Sequence, residues 1–459
     1  MIPNDLKQYA NFFTEYTELR AQENQSNQIT IVNGDIVTNL KRMKGGISAR
    51  VNNDGYWGFA ANPMLAENEI QSVIERATGN ALFLRSKGKA KDIRLSSKNG
   101  NFRNDFATQN ALKPQSEIIE FLMRLDEYIK MNCKNLSSRV ITLQTLDMEK
   151  SLLTSNGSAA YSLIPRSLIH ITMTITNDGE PIQLYKTFGG FGQFEDVFKL
   201  PEGLFAGIDE QYIHLQAKAN GTYAKAGIQA VILDADIAGI LAHEAIGHTT
   251  EADIVLAGSV AGDLLNQPVA SELITLVDFA NTAFGSLCPV PVFMDDEGTK
   301  AEDCVIIEAG VLKRFMHNKE SAGIFGHELT GNARAFEFSD EPLIRMRNTA
   351  ILPGKSKLEA MIASIDDGYY LMKASNGQAD STSEFMFGIV QGYEIKHGKI
   401  GPAIRDMTIS GVAIDVLKSV TMVSDNLVWG CAGMCGKKQL IPVGMGGPAI
   451  KCKVNIGGK

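Results

Sequence analysis

The sequence has 459 residues, 44% of them hydrophobic and 21% charged, with a formal net charge of −8. That composition belongs to a folded chain of two or three domains and not to a disordered or membrane-embedded one. The acidic balance argues against a nucleic-acid partner, which needs clustered Lys and Arg; Lys437-Lys438 and the scattered Arg85, Lys87, Lys89 and Lys91 read as solvated surface.

The N-terminal Met1-Ile2-Pro3-Asn4-Asp5 carries neither a basic region nor an apolar stretch of the kind that opens a signal peptide. No run of eighteen apolar residues, the length that could span a bilayer, occurs in the sequence. The six cysteines are too sparse for a disulfide framework, so a cytoplasmic setting with reduced thiols is expected.

In chain order, residues 4–14 read as a short helix and 16–23 as a strand. Two hairpins follow, turning at Asn33-Gly34-Asp35 and at Asn53-Asp54-Gly55. Helices are expected over 66–84 and 116–132, the second from apolar repeats at Ile118, Ile119, Leu122, Leu125 and Ile129. Strands return over 140–186, with turns at Asn156-Gly157 and Asn177-Asp178-Gly179. The fold class expected is α+β: an N-terminal α+β domain (1–195), a helical linker (196–227) with a helix over 202–217, and a β-rich domain (228–459) carrying one metal-binding helix. Turn signals in the last part lie at Asp296-Glu297-Gly298, Glu308-Ala309-Gly310 and His397-Gly398.

After a strand over 228–233, Asp234 or Asp236 can cap a helix whose apolar face is Ile237, Ile240, Leu241, Ala245 and Ile246. On it lie His243, Glu244 and His248. Two imidazoles and an adjacent carboxylate are the elements of a zinc hydrolase: the rings share an ion and the carboxylate meets the attacking water. The spacing is unusual. Histidines four apart lie about 40° apart around an α-helix, whereas five apart they are separated by about 140°. The extra residue predicts a π-type turn between them, and Gly247 is read as easing that distortion.

A third protein ligand is needed. Glu251 is the near candidate, and Cys431 and Cys435, in a glycine-rich segment, are the remote ones. The remaining cysteines, Cys133, Cys288, Cys304 and Cys452, read as small buried hydrophobes. Arg334 and Arg345 are candidates for binding substrate carbonyl or carboxylate groups, with a structural salt bridge as the competing role. Gly444-Met445-Gly446-Gly447 lacks the strand-to-helix context and acidic partner of a nucleotide loop.

The run from His243 to Asp253 resembles the metal-binding motif of the TldD/PmbA family, once described as modulators of DNA gyrase. The likeness continues through Asp295-Asp296-Glu297-Gly298-Thr299, Gly331-Asn332-Ala333-Arg334, Arg345-Met346-Arg347-Asn348-Thr349 and Cys435-Gly436-Lys437, and it includes Gly46–Val51 and Trp57–Ala60 near the N-terminus. The resemblance implies a zinc peptidase acting on unfolded peptides, working as a two-subunit assembly, either a homodimer or a heterodimer with a PmbA-like (TldE-like) partner. The intact motif is similar to that of the TldD-like, active subunit. By resemblance, His243, His248 and Cys435 hold Zn2+ and Glu244 is the general base. The Cys435-to-Pro442 segment is one residue shorter than the family's usual spacing, which keeps Cys431 as an alternative, and Thr249-Thr250 replaces a commoner small or apolar pair. A dipeptidyl-peptidase-III-like enzyme, with Glu251 as ligand, and a non-catalytic regulatory subunit are the rival readings.

Overall fold

The long strand β1 (Tyr16–Val32) reverses through Asn33 at φ 52° and Gly34 at φ 99° into β2 (Asp35–Asn53). Two successive positive φ angles make the tight turn that matches strand twist, and Asn-Gly tolerates them best. The same device, Asp54-Gly55, leads from β2 to β3 (Tyr56–Asn62). The computed structural model describes residues 2–3, 5–91 and 93–457. The expected first helix is a 3-10 turn, Lys7–Phe12. The strand expected to end at Glu23 instead runs unbroken through Asn24-Gln25-Ser26-Asn27, because β1 is hydrogen-bonded on both sides, to β2 and to β5 (Ser138–Thr154). Backbone pairing carries the strand where side-chain polarity suggests a break.

α1 (Glu67–Ser86) and α2 (Gln115–Asn132) flank β4 (Asn101–Asp105), and after β5 come β6 (Ala159–Asn177) and β7 (Glu180–Phe191). The strand order is β3-β2-β1-β5-β6-β4, with β7 also on β6. Period-two alternation then sorts the two faces of β1. Leu19, Ala21, Ile29 and Ile31 face one way, into cores shared with α1 (Ile70, Val73, Ala77) and α2 (Leu122, Leu125, Ile129). Glu18, Arg20, Gln22 and Asn24 face the other way and are buried too. That polar face lies against the C-terminal half: Arg20 donates to the Asp340 carbonyl at 2.6 Å, and Lys150 to the Ala335 carbonyl at 2.8 Å. The short α3 (Phe194–Val197) and α4 (Phe205–Ala219) lead on; the latter starts three residues later than expected, after a 3-10 turn at Pro201–Leu204.

β8 (Gly227–Leu233) opens the β-rich C-terminal half. It pairs with Asp367–Ala379 in parallel and with Ile450–Gly457 antiparallel. From there Met407–Val412 and Glu384–Lys396 lead back to Asp367–Ala379, which closes a five-stranded ring. A second, open sheet runs Val311–Leu312, Cys304–Glu308, Leu276–Phe279, Asn348–Ile351, Gly444–Gly447, Val428–Gly430. Its centre is tied by Asp278 and Arg347, both fully buried, with Arg347 Nε 2.9 Å from Asp278 Oδ2. Arg347 also donates to the carbonyls of Thr330 and Glu302, and Asp278 accepts from the backbone of Arg347 and Asn348, so neither buried charge lacks partners.

α5 (Ala235–Leu241) leaves β8 and runs between ring and open sheet, with Ile237, Ala238 and Leu241 in the core. The approach is close: a Cβ on Gly239 would lie 3.0 Å from Gly446 N, and one on Gly446 would meet the Trp429 ring at 2.6 Å. Gly444-Met445-Gly446-Gly447 is therefore a packed strand with no phosphate-binding loop. Among the described residues no helix is long and apolar enough to cross a membrane.

Candidate metal centre

Asp234 caps α5, its carboxylate accepting from the Ala235 N–H at 2.9 Å. The α-helix ends at Leu241. Ala242–Gly247 is a π-helical turn and His248–Thr250 a 3-10 turn, so the two histidines lie on a composite element and not on one regular helix. The π-turn brings the His243 and His248 ring centroids to 5.2 Å, at 80° to each other. A wide turn disturbs the ladder of carbonyl acceptors, and hydroxyls fill in. Ser383 Oγ donates to the Ala245 carbonyl at 3.0 Å, Thr249 and Thr250 each donate to that of Ile246 at 2.9 Å, and Thr250 also reaches that of Gly247 at 3.0 Å. Thr249-Thr250 thus has a definite task in this chain. Gly247 has another reason than the one its sequence position suggested. Its backbone is ordinary helix, φ −56° and ψ −54°, but a Cβ there would lie 1.9 Å from Met346 Sδ. Close packing, not backbone freedom, demands the glycine.

Cys435 arrives from the hairpin formed by Met434–Lys437 and Gln439–Pro442. Its Sγ is 3.3 Å from His248 Nε2, and the ligand atoms of His243, His248 and Cys435 all lie within 4.8 Å of one another. His243 is fully buried, and among the described residues neither of its ring nitrogens has a hydrogen-bond partner. An orphaned imidazole in a polar cluster is an unmet need, and a shared cation is what two imidazoles and a thiol can all satisfy. The donor set fits zinc.

The charges agree. Burial alone would raise the Cys435 thiol, but the two imidazoles outweigh it and bring it down to about 4, so the sulfur is a thiolate. Burial alone would lower His248; hydrogen bonds to Cys435 and Glu251, with their charges, push it up to about 10.

Glu251, the nearer candidate ligand, is fully buried and turned to the far side of His248. Its Oε2 lies 3.0 Å from His248 Nδ1 and 3.0 Å from Lys437 Nζ. Burial opposes its charge, yet His248 and Lys437 hold its carboxyl below the usual range. The arrangement leaves Nε2 of His248 pointed at Cys435 and fixes the ring, the usual task of a carboxylate behind a ligating histidine. Glu251→Gln is expected to weaken zinc binding about 10–100-fold while leaving the three candidate ligands in place, checked by competition with a chromogenic chelator.

Lys437, read from the sequence as solvated, is in fact nearly enclosed. Its ammonium also meets Asp253 Oδ1 at 2.8 Å and the Ile344 carbonyl at 2.9 Å. Its place in Cys435-Gly436-Lys437 was the available signal. Arg334 and Arg345, the candidates for binding substrate, have extensive contacts within the protein. Both are buried, and they spend their donors on backbone carbonyls: Arg345 on Cys435 (2.5 Å), Gln439 (3.0 Å) and Lys437 (3.3 Å), Arg334 on Pro442 (2.9 Å) and Met346 (2.5 Å). Together they clamp the hairpin that delivers the thiolate. Cys431 is four residues away and lies beside Gly190 and Arg166, in a cleft wall and outside the histidine cluster.

That cleft, about 510 Å³, is where Glu244 comes to the surface. Its Oε2 is 3.8 Å from His248 Nε2, so a carboxylate sits beside the ligand cluster with solvent access. Such a placement allows proton transfer to and from a molecule in the cleft.

Residues 226–458 match the family model described as PmbA/TldA metallopeptidase C-terminal domain, and 17–81 match PmbA/TldA metallopeptidase domain 1. A metalloprotease of Methanocaldococcus jannaschii is 30% identical over 452 residues, covering 95% of this chain and 96% of its own. A zinc metalloprotease TldD homolog of Saccharolobus solfataricus is 28% identical over 456 residues, covering 99% of each chain. Among solved structures, TldE from Thermococcus kodakarensis shares the fold with a TM-score of 0.77 at 19% identity, over 99% of both chains.

Proposed function

The chain belongs to the PmbA/TldD metallopeptidase family, and from that premise we propose that it is a zinc-dependent peptidase acting on unfolded peptides. The observation that carries this reading is the convergence of His243, His248 and Cys435 around a fully buried imidazole without partners, next to a cleft-facing glutamate. His243, His248 and Cys435 would hold the metal. When bound, zinc there supplies Lewis acidity, polarising a carbonyl and acidifying water.

The chain's own groups do the rest. Glu244 accepts the proton of the attacking water at its carboxylate and returns it to the leaving amine nitrogen. Glu251 and Lys437 keep His248 oriented, and Arg345 and Arg334 keep the Cys435 hairpin in place. The dipeptidyl-peptidase-III-like alternative needs Glu251 as ligand, and the contacts of Glu251 with His248 Nδ1 and Lys437 speak against it. A purely regulatory subunit would have no use for a cleft-facing base beside a thiolate.

We further propose that the chain is the TldD-like member of a two-subunit assembly, a reading supported by its intact ligand set and by its fold likeness to TldE. The test is hydrolysis of a reduced, unfolded polypeptide by purified protein, alone and with a PmbA-like partner. Chelation should remove both zinc and activity, and stoichiometric zinc should restore them. Activity that persists in metal-free protein would overturn the proposal.

A further inference from the structure

The cleft does not end at Glu244. Asp236, Ile240 and Glu244 all line it, at intervals of four residues along α5 and the π-turn. Its long axis therefore follows that element away from the metal cluster, over roughly 12 Å for eight residues at 1.5 Å each. Lys373, from the ring strand Asp367–Ala379, lines the same cleft and is the cation that Asp236 acts on, which puts it toward the Asp236 end.

Lys373 lays its ammonium over the Tyr185 ring, 4.4 Å from the centroid, and Tyr185 is itself anchored through its hydroxyl to the Ala374 carbonyl at 2.5 Å. The lysine stem is thereby fixed. Among the described residues no carboxylate comes within ion-pair distance of its ammonium and no hydrogen bond engages it; Asp236 and Lys186 act on it only at longer range. Lys186 is already paired with Glu210. Burial pulls the Lys373 ammonium below its ordinary range, the mark of a cation short of partners. A partly buried, unpaired cation on a rigid stem in an open cleft is a site for an anion.

We propose that Lys373 binds a carboxylate of the peptide substrate and so sets where the chain is cut. This rests on the peptidase reading above. An extended peptide rises about 3.3 Å per residue, so the roughly 12 Å between Glu244 and the far end of the cleft holds three to four residues. Lys373 then acts as an end-stop, and cleavage falls three or four residues from the carboxylate. The carboxylate comes from one of two sources, the chain terminus or an Asp or Glu side chain, and the same ammonium would receive either.

The test uses zinc-loaded full-length protein and a ten-residue unstructured peptide in three forms: free C-terminal acid, C-terminal amide, and amide with a Glu placed four residues from the wild-type cut. Cleavage positions are mapped by mass spectrometry and kcat/KM is measured. The acid should exceed the plain amide by about tenfold or more, the worth of one charge-assisted hydrogen bond, with the cut at the stated distance. If the terminus is the source, the acid alone is preferred; if a side chain serves, the Glu-bearing amide recovers the rate. Lys373→Gln should erase the preference, and Lys373→Arg should keep it. Equal kcat/KM for all three peptides, or a preference that survives in Lys373→Gln, overturns the proposal while leaving the peptidase reading intact. The peptidase reading fails separately, if zinc-loaded wild type cuts none of them. In that event binding of the three labelled peptides to Glu244→Gln protein, followed by fluorescence anisotropy, still reads whether Lys373 selects a carboxylate.

Discussion

Glu244→Gln is expected to leave zinc content and folding unchanged while peptide hydrolysis falls by about 10²–10⁴-fold. Gln is nearly isosteric, and Glu244 reaches the cleft without being one of the three clustered ligand groups. What is lost is a proton acceptor 3.8 Å from His248 Nε2. The check is kcat/KM on an unfolded peptide beside zinc content by elemental analysis. A variant that hydrolyses at the wild-type rate would remove Glu244 from the reaction; one that loses its zinc would make it a structural ligand instead.

Cys435→Ser should produce the largest fall in zinc affinity of any single cysteine change. Structural zinc sites with four ligands are worth roughly 10–16 kcal/mol, so one thiolate contributes about 3–4 kcal/mol, two to three orders of magnitude in affinity. The thiolate is poised for that role, since the imidazoles already hold its thiol near 4. Cys431→Ser, on the cleft wall by Gly190, should bind zinc as wild type does. Competition with a chelator of known affinity measures all three proteins. A normal affinity in Cys435→Ser with a deficit in Cys431→Ser would mean that the shortened segment before Pro442 moves the ligand.

Local chemistry was readable from the sequence wherever it is decided within a few residues. Asn33-Gly34 and Asp54-Gly55 dictate their turns because few other pairs accept two positive φ angles. The five-residue interval between His243 and His248 required a wide turn, and the chain has one. What stayed hidden depends on partners far along the chain. β1 continues through Asn24–Asn27 because β2 and β5 pair with it, which no window around those residues reveals. Closure of the ring joins β8 to strands more than a hundred residues later. Lys437 looked like a solvated group, and Arg334 and Arg345 could be read as substrate-binding or structural, since side-chain type says nothing of which carbonyl or carboxylate lies opposite. Gly247 was placed correctly and explained wrongly: the constraint is a sulfur atom of Met346, not its own backbone. The glycine-rich segment offered Cys431 and Cys435 alike, and family likeness alone chose between them; the 187-residue separation of Cys435 from His248 carries no spacing rule.

That separation has a consequence during synthesis. A ribosome adding about 5–20 residues per second delivers Cys435 roughly 10–40 s after His248. Throughout that interval the emerging polypeptide holds its base and both imidazoles but no thiolate, and the strand that completes the ring, Ile450–Gly457, is later still. On the proposed peptidase reading, an enzyme that attacks unfolded chains is in most danger of attacking its own. With the proposed third ligand in the last tenth of the sequence, such a chain would be armed only after it had ceased to be a substrate.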